Sequence, residues 1–257
     1  MPPDEFPSFE YSLDNAIEAA RDVADVSQMI QKVAFCASKE AHRYNINGVH
    51  INFTEDSLDV VAIDGKRMAI VQGALRISKN IGVTIPIQAA DILPRCFNKS
   101  DRLNLQVAEN AVSFADDRTT IISRTIEEDY PDYHKIIPTD SDLRIVVETE
   151  QLLLLLRREM PLTNPMSALG VFEIGGGVMR VRARSDIGEA KDEIDVEGDA
   201  VITIGLDLKL LLEALSHIDN EKIVILFKDA MSAIVIQPVG DERYQYIQMP
   251  MRLQEGD

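Results

Sequence analysis

Positive charge is scarce in this sequence. The 257 residues carry 26 Lys and Arg against 43 Asp and Glu, a formal charge of −17. As a sum, that balance argues for solubility and against an unaided nucleic-acid binder. Long apolar runs are missing as well: none approaches the roughly 18 residues of a membrane span. The opening MPPDEFPSFE has no basic stretch followed by an apolar one, so neither a leader nor a membrane anchor is expected. Only two cysteines occur, Cys36 and Cys96, far apart on apolar helical stretches. Buried reduced thiols are the stronger expectation and a disulfide the weaker, which points to the cytoplasm.

The usual chemistries are missing too. His42, His50, His134 and His217 are scattered with no pair at ligand spacing, so no metal site and no cofactor is expected. No Gly-x-Ser-x-Gly elbow or Walker-type phosphate loop is present. AIDGKR has the Asp-Gly of the Lys-x-Asp-Gly nucleophile of nucleotidyl-transferring ligases, but Ala62 stands where the amine belongs. Gly175 to Gly177 lie between two strand patterns and read as a hairpin turn. The acids are spread along strands and loops, as on solvated faces. Nothing assembles a catalytic site, and an enzyme is not expected.

What is present is a duplication. NGVHINFTEDSLDVVAIDGKRMAI is answered by LGVFEIGGGVMRVRARSDIGEAKDEI, IPIQAADILPRCF by IGLDLKLLLEALSHI, and LNLQVAENAVSFADDRTTIISRTI by KIVILFKDAMSAIVIQPVGDERYQYIQM. Gly48-Val49 matches Gly170-Val171, and Leu103 to Val107 matches Ile223 to Phe227. The offset stays near ~120 residues, which makes this a repeated domain rather than a short solenoid unit.

Each repeat reads as helix, strands, helix, strands. Val26, Met29, Ile30, Val33 and Ala37 form one helical stripe, from which Phe35 departs; Leu208, Leu211, Leu212, Leu215 and Ile218 form another. Val49, Ile51 and Phe53 point one way along a strand, His50 and Asn52 the other. The class is α+β: two duplicated domains of antiparallel sheets, each covered by two helices. Residues 1–15 read as a linker-like segment, 16–138 as the first domain and 139–257 as the second. The acidic, proline-containing EEDYPDYHKIIPTDSD connects them.

Two features remain. The chain finishes on YQYIQMPMRL, four residues from the end, where soft apolar side chains have little chain left to cover them. The few cations, in turn, gather on helices. Lys32 and Lys39 fall on the polar side of the first, with Arg43 and Tyr44 just beyond; Arg95, Lys99 and Arg102 lie on and after the second. Arg157 and Arg158 lie on the third and Lys209 on the fourth. On any single helix, ordinary salt-bridged surface accounts for them. Four helices with cations opposite the apolar stripe instead suit a chain that is acidic overall yet basic where it meets phosphate.

VVAIDGKRMAIV, SRTIEEDYPDYHKIIP, ITIGLDLKLLLEAL and the terminal YIQMPMRL together resemble the bacterial replicative sliding clamp, the β subunit of DNA polymerase III. Members of that family carry three such domains and close as head-to-tail dimers around duplex DNA. This chain resembles the second and third, with MPPDEFP resembling the linker after the first, so it reads as a fragment or as a clamp without its first domain. The resemblance implies the DNA-clamp fold, sequence-independent contact with duplex DNA, and short peptide motifs of the polymerase and clamp loader as partners.

Residue by residue, the resemblance places the peptide groove on Ile46, Ile63, Gly65, Lys66, Arg67, Met68, Pro131, Lys135, Ile136, Ile247, Met249, Pro250, Met251 and Arg252. It places the family's DNA-facing loop on Lys39 to Asn45, with Arg43 and Tyr44; together with the helix cations Lys32, Arg95, Lys99, Arg157 and Lys209, these are the expected DNA-facing residues. Asn45 stands where the family has a second tyrosine, and Pro94 interrupts the second helix. The competing class is a non-ring adaptor that binds partner peptides without encircling DNA.

Overall fold

The computed structural model of the chain describes residues 16–23, 26–40, 44–54, 57–74, 80–97, 103–108 and 110–253. Two units emerge. The first holds the described residues up to Ala62 together with Gln72–Tyr130; the second holds Ile63–Val71 and the described chain from Pro131 on.

The first repeat runs β1 (Ile17–Val23), α1 (Val26–Val33), β2 (Gly48–Phe53), β3 (Ser57–Ile63), β4 (Arg67–Ala74), β5 (Ile81–Pro86), α2 (Ile87–Cys96), β6 (Leu103–Val107), β7 (Ala111–Ala115) and β8 (Thr120–Arg124). In the first unit β1, β6, β7 and β8 form one antiparallel sheet, while β2 lies between β3 and β5 in another. The alternation read from the sequence holds, with Val49, Ile51 and Phe53 fully buried. Helix α1 packs on α2 and buries Val26, Met29, Ile30 and Val33. It stops at Val33, and Ala34–Cys36 tightens into a 3-10 turn. Phe35 lies in that turn, where the helical period no longer applies, which is why it leaves the stripe.

Helix α2 continues through Pro94 and ends two residues later, with the Phe97 N–H donating to the Leu93 carbonyl. A proline that close to the helix end costs a single intrahelical bond. The expectation of two buried thiols is corrected here. Neither cysteine is in a disulfide, and Cys36 is buried, but Cys96 is exposed. Ala90, Leu93 and the following Phe97 take the buried side of α2, and Cys96 falls outside it.

The second repeat runs β9 (Leu143–Glu148), α3 (Thr149–Glu159), β10 (Leu169–Gly175), β11 (Val178–Ser185), β12 (Gly188–Asp195), β13 (Glu197–Gly198), β14 (Ile202–Asp207), α4 (Leu208–Leu215), β15 (Lys222–Phe227), β16 (Ile234–Pro238) and β17 (Tyr244–Gln248). One sheet of the second unit has the order β12-β11-β10-β14. The other runs β13-β9-β15-β16-β17 and then takes Arg67–Val71 of β4 as its next strand. Gly175 to Gly177 are a hairpin turn: Gly175 pairs with Val178, and Gly176 and Gly177 have φ of +63° and +79°, the left-handed values a tight hairpin needs. Helix α4 starts at Asp207, whose carboxylate accepts the backbone N–H groups of Lys209 and Leu210 at 3.0 and 3.1 Å. It buries Leu208, Leu211, Ala214 and Leu215. Among the described residues no helix is long and apolar enough to cross a membrane.

Candidate functional site

The second unit answers the question of the apolar terminus. Its site begins at Asp64, whose Oδ1 accepts the N–H groups of Lys66 and Arg67 at 2.9 and 3.0 Å. Gly65, at φ +90°, makes the tight turn possible. The Arg67 side chain is 5% exposed and meets two carboxylates, Asp64 Oδ2 at 3.0 Å and Glu213 Oε2 of α4 at 2.8 Å. Along the ladder Arg67 stands opposite Gln248, Met68 opposite Ile247 and Ala69 opposite Tyr246. Gln248 is fully buried. Its amide donates to the Asp207 carbonyl at 3.1 Å, and its Oε1 accepts from the Tyr246 hydroxyl at 2.8 Å.

Beyond Gln248 the backbone stays pinned while the side chains come to the surface. The Met249 N–H donates to the Lys66 carbonyl at 2.9 Å, and the Met251 N–H donates to the Gly205 carbonyl at 2.8 Å. A Cβ on Gly205 would lie 2.7 Å from the Met251 carbonyl oxygen and 2.8 Å from Leu253 Cδ2, so only glycine lets the tail lie flat on β14. Met249 is 48% and Leu253 39% exposed; Arg252 is exposed, Pro250 and Met251 half-buried. A terminus that belonged to the core would show the reverse, with buried side chains. This one is a fixed backbone presenting apolar groups to solvent.

The remaining groove residues are placed as follows. Gly65 and Lys66 are exposed beside the tail, while Ile63, Met68 and Ile247 are buried beneath this surface. Pro131 and Ile136 are half-buried on either side of the 3-10 turn Tyr133–Lys135. Lys135 is exposed and bonded to Asp132 at 2.8 Å. That hydrogen bond, more than the charge itself, raises the lysine's pKa and lowers the aspartate's. Ile46 belongs to the first unit, where it is buried and its carbonyl accepts the Ser38 N–H. Contacts thus join Lys66, Arg67 and Met68 to Ile247, Gln248 and Met249. Lys135 and Ile136 bond within their own turn, to Asp132 and Tyr133.

Of the cations assigned to DNA, Lys32, Lys39, Arg95, Arg157 and Lys209 are exposed, while Arg43 and Lys99 lie outside the described residues, as does the side chain of Tyr44. Lys32 and Arg95 occupy the last turns of α1 and α2. Arg157 lies in the last turn of α3 beside Arg158, which is engaged by Asp192, and Lys209 lies in the first turn of α4. Among the described residues no group of three or more His, Cys, Asp or Glu is arranged to hold a metal.

Sequence reasoning missed Gly205, Asp207 and Glu213. Asp207 carried a readable signal, a capping residue directly before LKLLLEAL; Gly205 and Glu213 act on partners distant in sequence and carried none. Next to the tail, Asn164, Ser167, Leu169, Val171, Arg182 and Arg184 line a cavity of about 140 Å³.

Two repeats of paired helices and antiparallel sheets, with a pinned apolar tail, define the DNA-clamp class. Family models agree: residues 22–132 match the central domain of the DNA polymerase III beta subunit and residues 134–252 its C-terminal domain. The chain belongs to the beta sliding clamp family, which is non-enzymatic. It is 23% identical to the beta sliding clamp of Chlamydia muridarum over 259 residues, 99% of this chain and 70% of that one. The crystal structure of the Pseudomonas aeruginosa DNA polymerase III beta subunit superposes with a TM-score of 0.92 at 23% identity, covering 98% of this chain and 70% of that one. A structure of that organism's clamp bound to griselimycin gives 0.91 at 22% identity, with the same coverage.

Proposed function

We propose that this chain is a sliding clamp: a polymerase processivity factor of the cytoplasm that encircles duplex DNA and holds short peptide motifs of the polymerase and clamp loader at its C-terminal tail. In this reading residues 16–138 and 139–257 are the two clamp domains, residues 1–15 are linker, and three copies supply six domains for a closed ring. The observation that carries it is the tail itself, strapped to the Lys66 and Gly205 carbonyls with Met249 and Leu253 exposed. Methionine is flexible and polarizable, so Met249 and Met251 can repack around different aliphatic or aromatic anchors. Met68 and Ile247 support them from below, and exposed Lys66 and Arg252 meet polar groups at the rim. Exposed cations on all four helices support loose, phosphate-directed contact with DNA.

The test is topological. Protein assembled with a clamp loader and ATP on nicked circular duplex is separated from free protein, before and after the circle is cut. A clamp stays on the circle and is lost from the linear ends. Equal retention on both forms favours an adaptor that binds partner peptides without enclosing DNA.

A further inference from the structure

Strand β11 carries Arg180, Arg182 and Arg184 at alternate positions, so all three belong to one face of its sheet. Strand pairing decides how each is answered. Arg180 stands opposite Glu173 on β10 and Glu193 on β12, and its Nε donates to Glu193 at 2.9 Å. Arg182 stands opposite Val171 on one side and Lys191 on the other; its contact with Glu189 is longer, at 3.9 Å. The next row holds Asp207 and Leu169, then Arg184 and Glu189. In these two rows three cations, Arg182, Arg184 and Lys191, are set against two acids, and the Asp207 carboxylate is committed to the cap of α4. The cavity of about 140 Å³ lies at this positive end, with Arg182, Arg184, Leu169 and Val171 among its walls.

The same rows lead to the tail. Val171 pairs with Gly205, where Met251 bridges to β14. Leu169 Cδ1 and Leu253 Cδ2 both come within 3.0 Å of the place a Cβ on Gly205 would take, so the cavity and the seat of the tail share a wall. The loop that closes the cavity is fixed. The Asn164 carbonyl accepts the N–H groups of Ser167 and Ala168 at 3.1 and 2.8 Å, its Oδ1 accepts the Met166 N–H at 2.9 Å, and Ala168 is held at φ +48°. The Asn164 amide nitrogen and the Ser167 hydroxyl bring neutral donors to a wall that is already in place.

We propose that this cavity takes an acidic side chain of the same peptide whose apolar anchors sit on the tail, with Arg182 and Arg184 as the partners of its carboxylate. The guanidinium fork matches a carboxylate better than a lysine does. The volume holds several water-sized groups, enough for one Glu or Asp side chain. A ligand that spans both places needs apolar groups at one end and an anion at the other, which a peptide combines and a nucleic-acid backbone does not. Spacing follows from the sheet. Gly205 on β14 and Arg182 on β11 are two strand spacings apart, about 10 Å, and extended peptide rises about 3.3 Å per residue. The acid therefore falls about three residues from the anchor that meets Met251. The inference rests on the peptide-binding reading of the tail and adds to it the chemistry of the partner.

Isothermal titration of the full chain tests it. The probes are a short peptide with Leu and Phe anchors and a Gln three residues from them, and the same peptide with Glu at that place. Each is made with the position before the anchors and again with it after them. In one of the two orientations the Glu peptide binds about 5-fold tighter than the Gln peptide, and the difference shrinks as salt rises. Arg182→Gln removes the preference while the Gln peptide binds as before, which also reports that the variant is folded. Lys191→Glu, at an exposed position, lowers the preference without touching a buried group. Arg180→Gln leaves it in place, because Glu173 and Glu193 already answer that charge. A Gln peptide that binds while neither Glu peptide binds tighter overturns the inference alone. So does a preference that survives Arg182→Gln, or one that falls equally with Arg180→Gln. Failure of every peptide to bind overturns the reading of the tail, and this inference with it.

Discussion

Arg67 and Glu213 are 146 residues apart in sequence, yet their charged groups meet at 2.8 Å, with the arginine side chain only 5% exposed. This contact fixes the Asp64–Arg67 turn against α4. The turn in turn fixes the Lys66 carbonyl, the first point at which the terminal tail is held. Exposed Met249 and half-buried Met251 are presented by a rigid support rather than by a loose end.

Arg67→Met therefore leaves Asp64 and Glu213 without their shared partner. Both carboxylates are partly solvated, at 20% and 36% exposure, so the loss stays near the low end for a broken buried pair, about 2 kcal/mol. Urea denaturation reads it as a lower midpoint at unchanged slope. A variant as stable as the parent contradicts the bridging role.

His50 in the first unit predicts an acid-sensitive core. Its ring stacks on Tyr130 with centroids 4.5 Å apart, and its Nδ1 lies 3.0 Å from Thr84 Oγ1. Burial lowers its pKa from 6.5 to about 4. The unfolded chain binds the proton first, so stability is complete above pH 6.5 and falls until the folded ring also protonates near pH 4. The loss across that window is about 3 kcal/mol. His50→Gln keeps a polar partner for Thr84 without titrating there, and its stability profile is correspondingly flatter. Identical profiles for both proteins rule the effect out.

DNA binding is expected to be weak, indifferent to sequence and steeply dependent on salt, because cations meet phosphates on a protein that is acidic overall. Replacing Lys32, Arg157 and Lys209 together with Gln lowers affinity equally on unrelated duplexes and flattens the salt dependence. Losing affinity on one sequence and not another points to base readout instead.

The duplication was legible because alternation and helical period survive in both halves. Its fine register was not. Gly48 and Gly170 look equivalent, but the buried rows set Val49, Ile51 and Phe53 against Gly170, Phe172 and Ile174. The two glycines answer different neighbours: Gly48 lies against the Ile85 backbone, Gly170 against the Leu208 side chain. The hairpin at Gly176 and the cap at Asp207 are local chemistry and can be read locally. The union of Arg67–Val71 with β17, the Glu213 contact and the seat for the tail at Gly205 join residues far apart in sequence, so no local pattern announces them. The terminal methionines were visible as an anomaly in the sequence, and their exposure gives the anomaly its meaning.

The most direct measurement is the affinity of a short clamp-motif peptide for the full chain and for a chain ending at Gln248, by fluorescence anisotropy. A few apolar anchors on an exposed surface give micromolar binding, roughly −7 to −8 kcal/mol. The shortened chain keeps the ladder from Tyr244 to Gln248, so it folds with a modest loss of stability and no longer binds the peptide. A shortened chain that binds as tightly as the full one, or that cannot fold at all, contradicts the assignment of the tail as a binding wall.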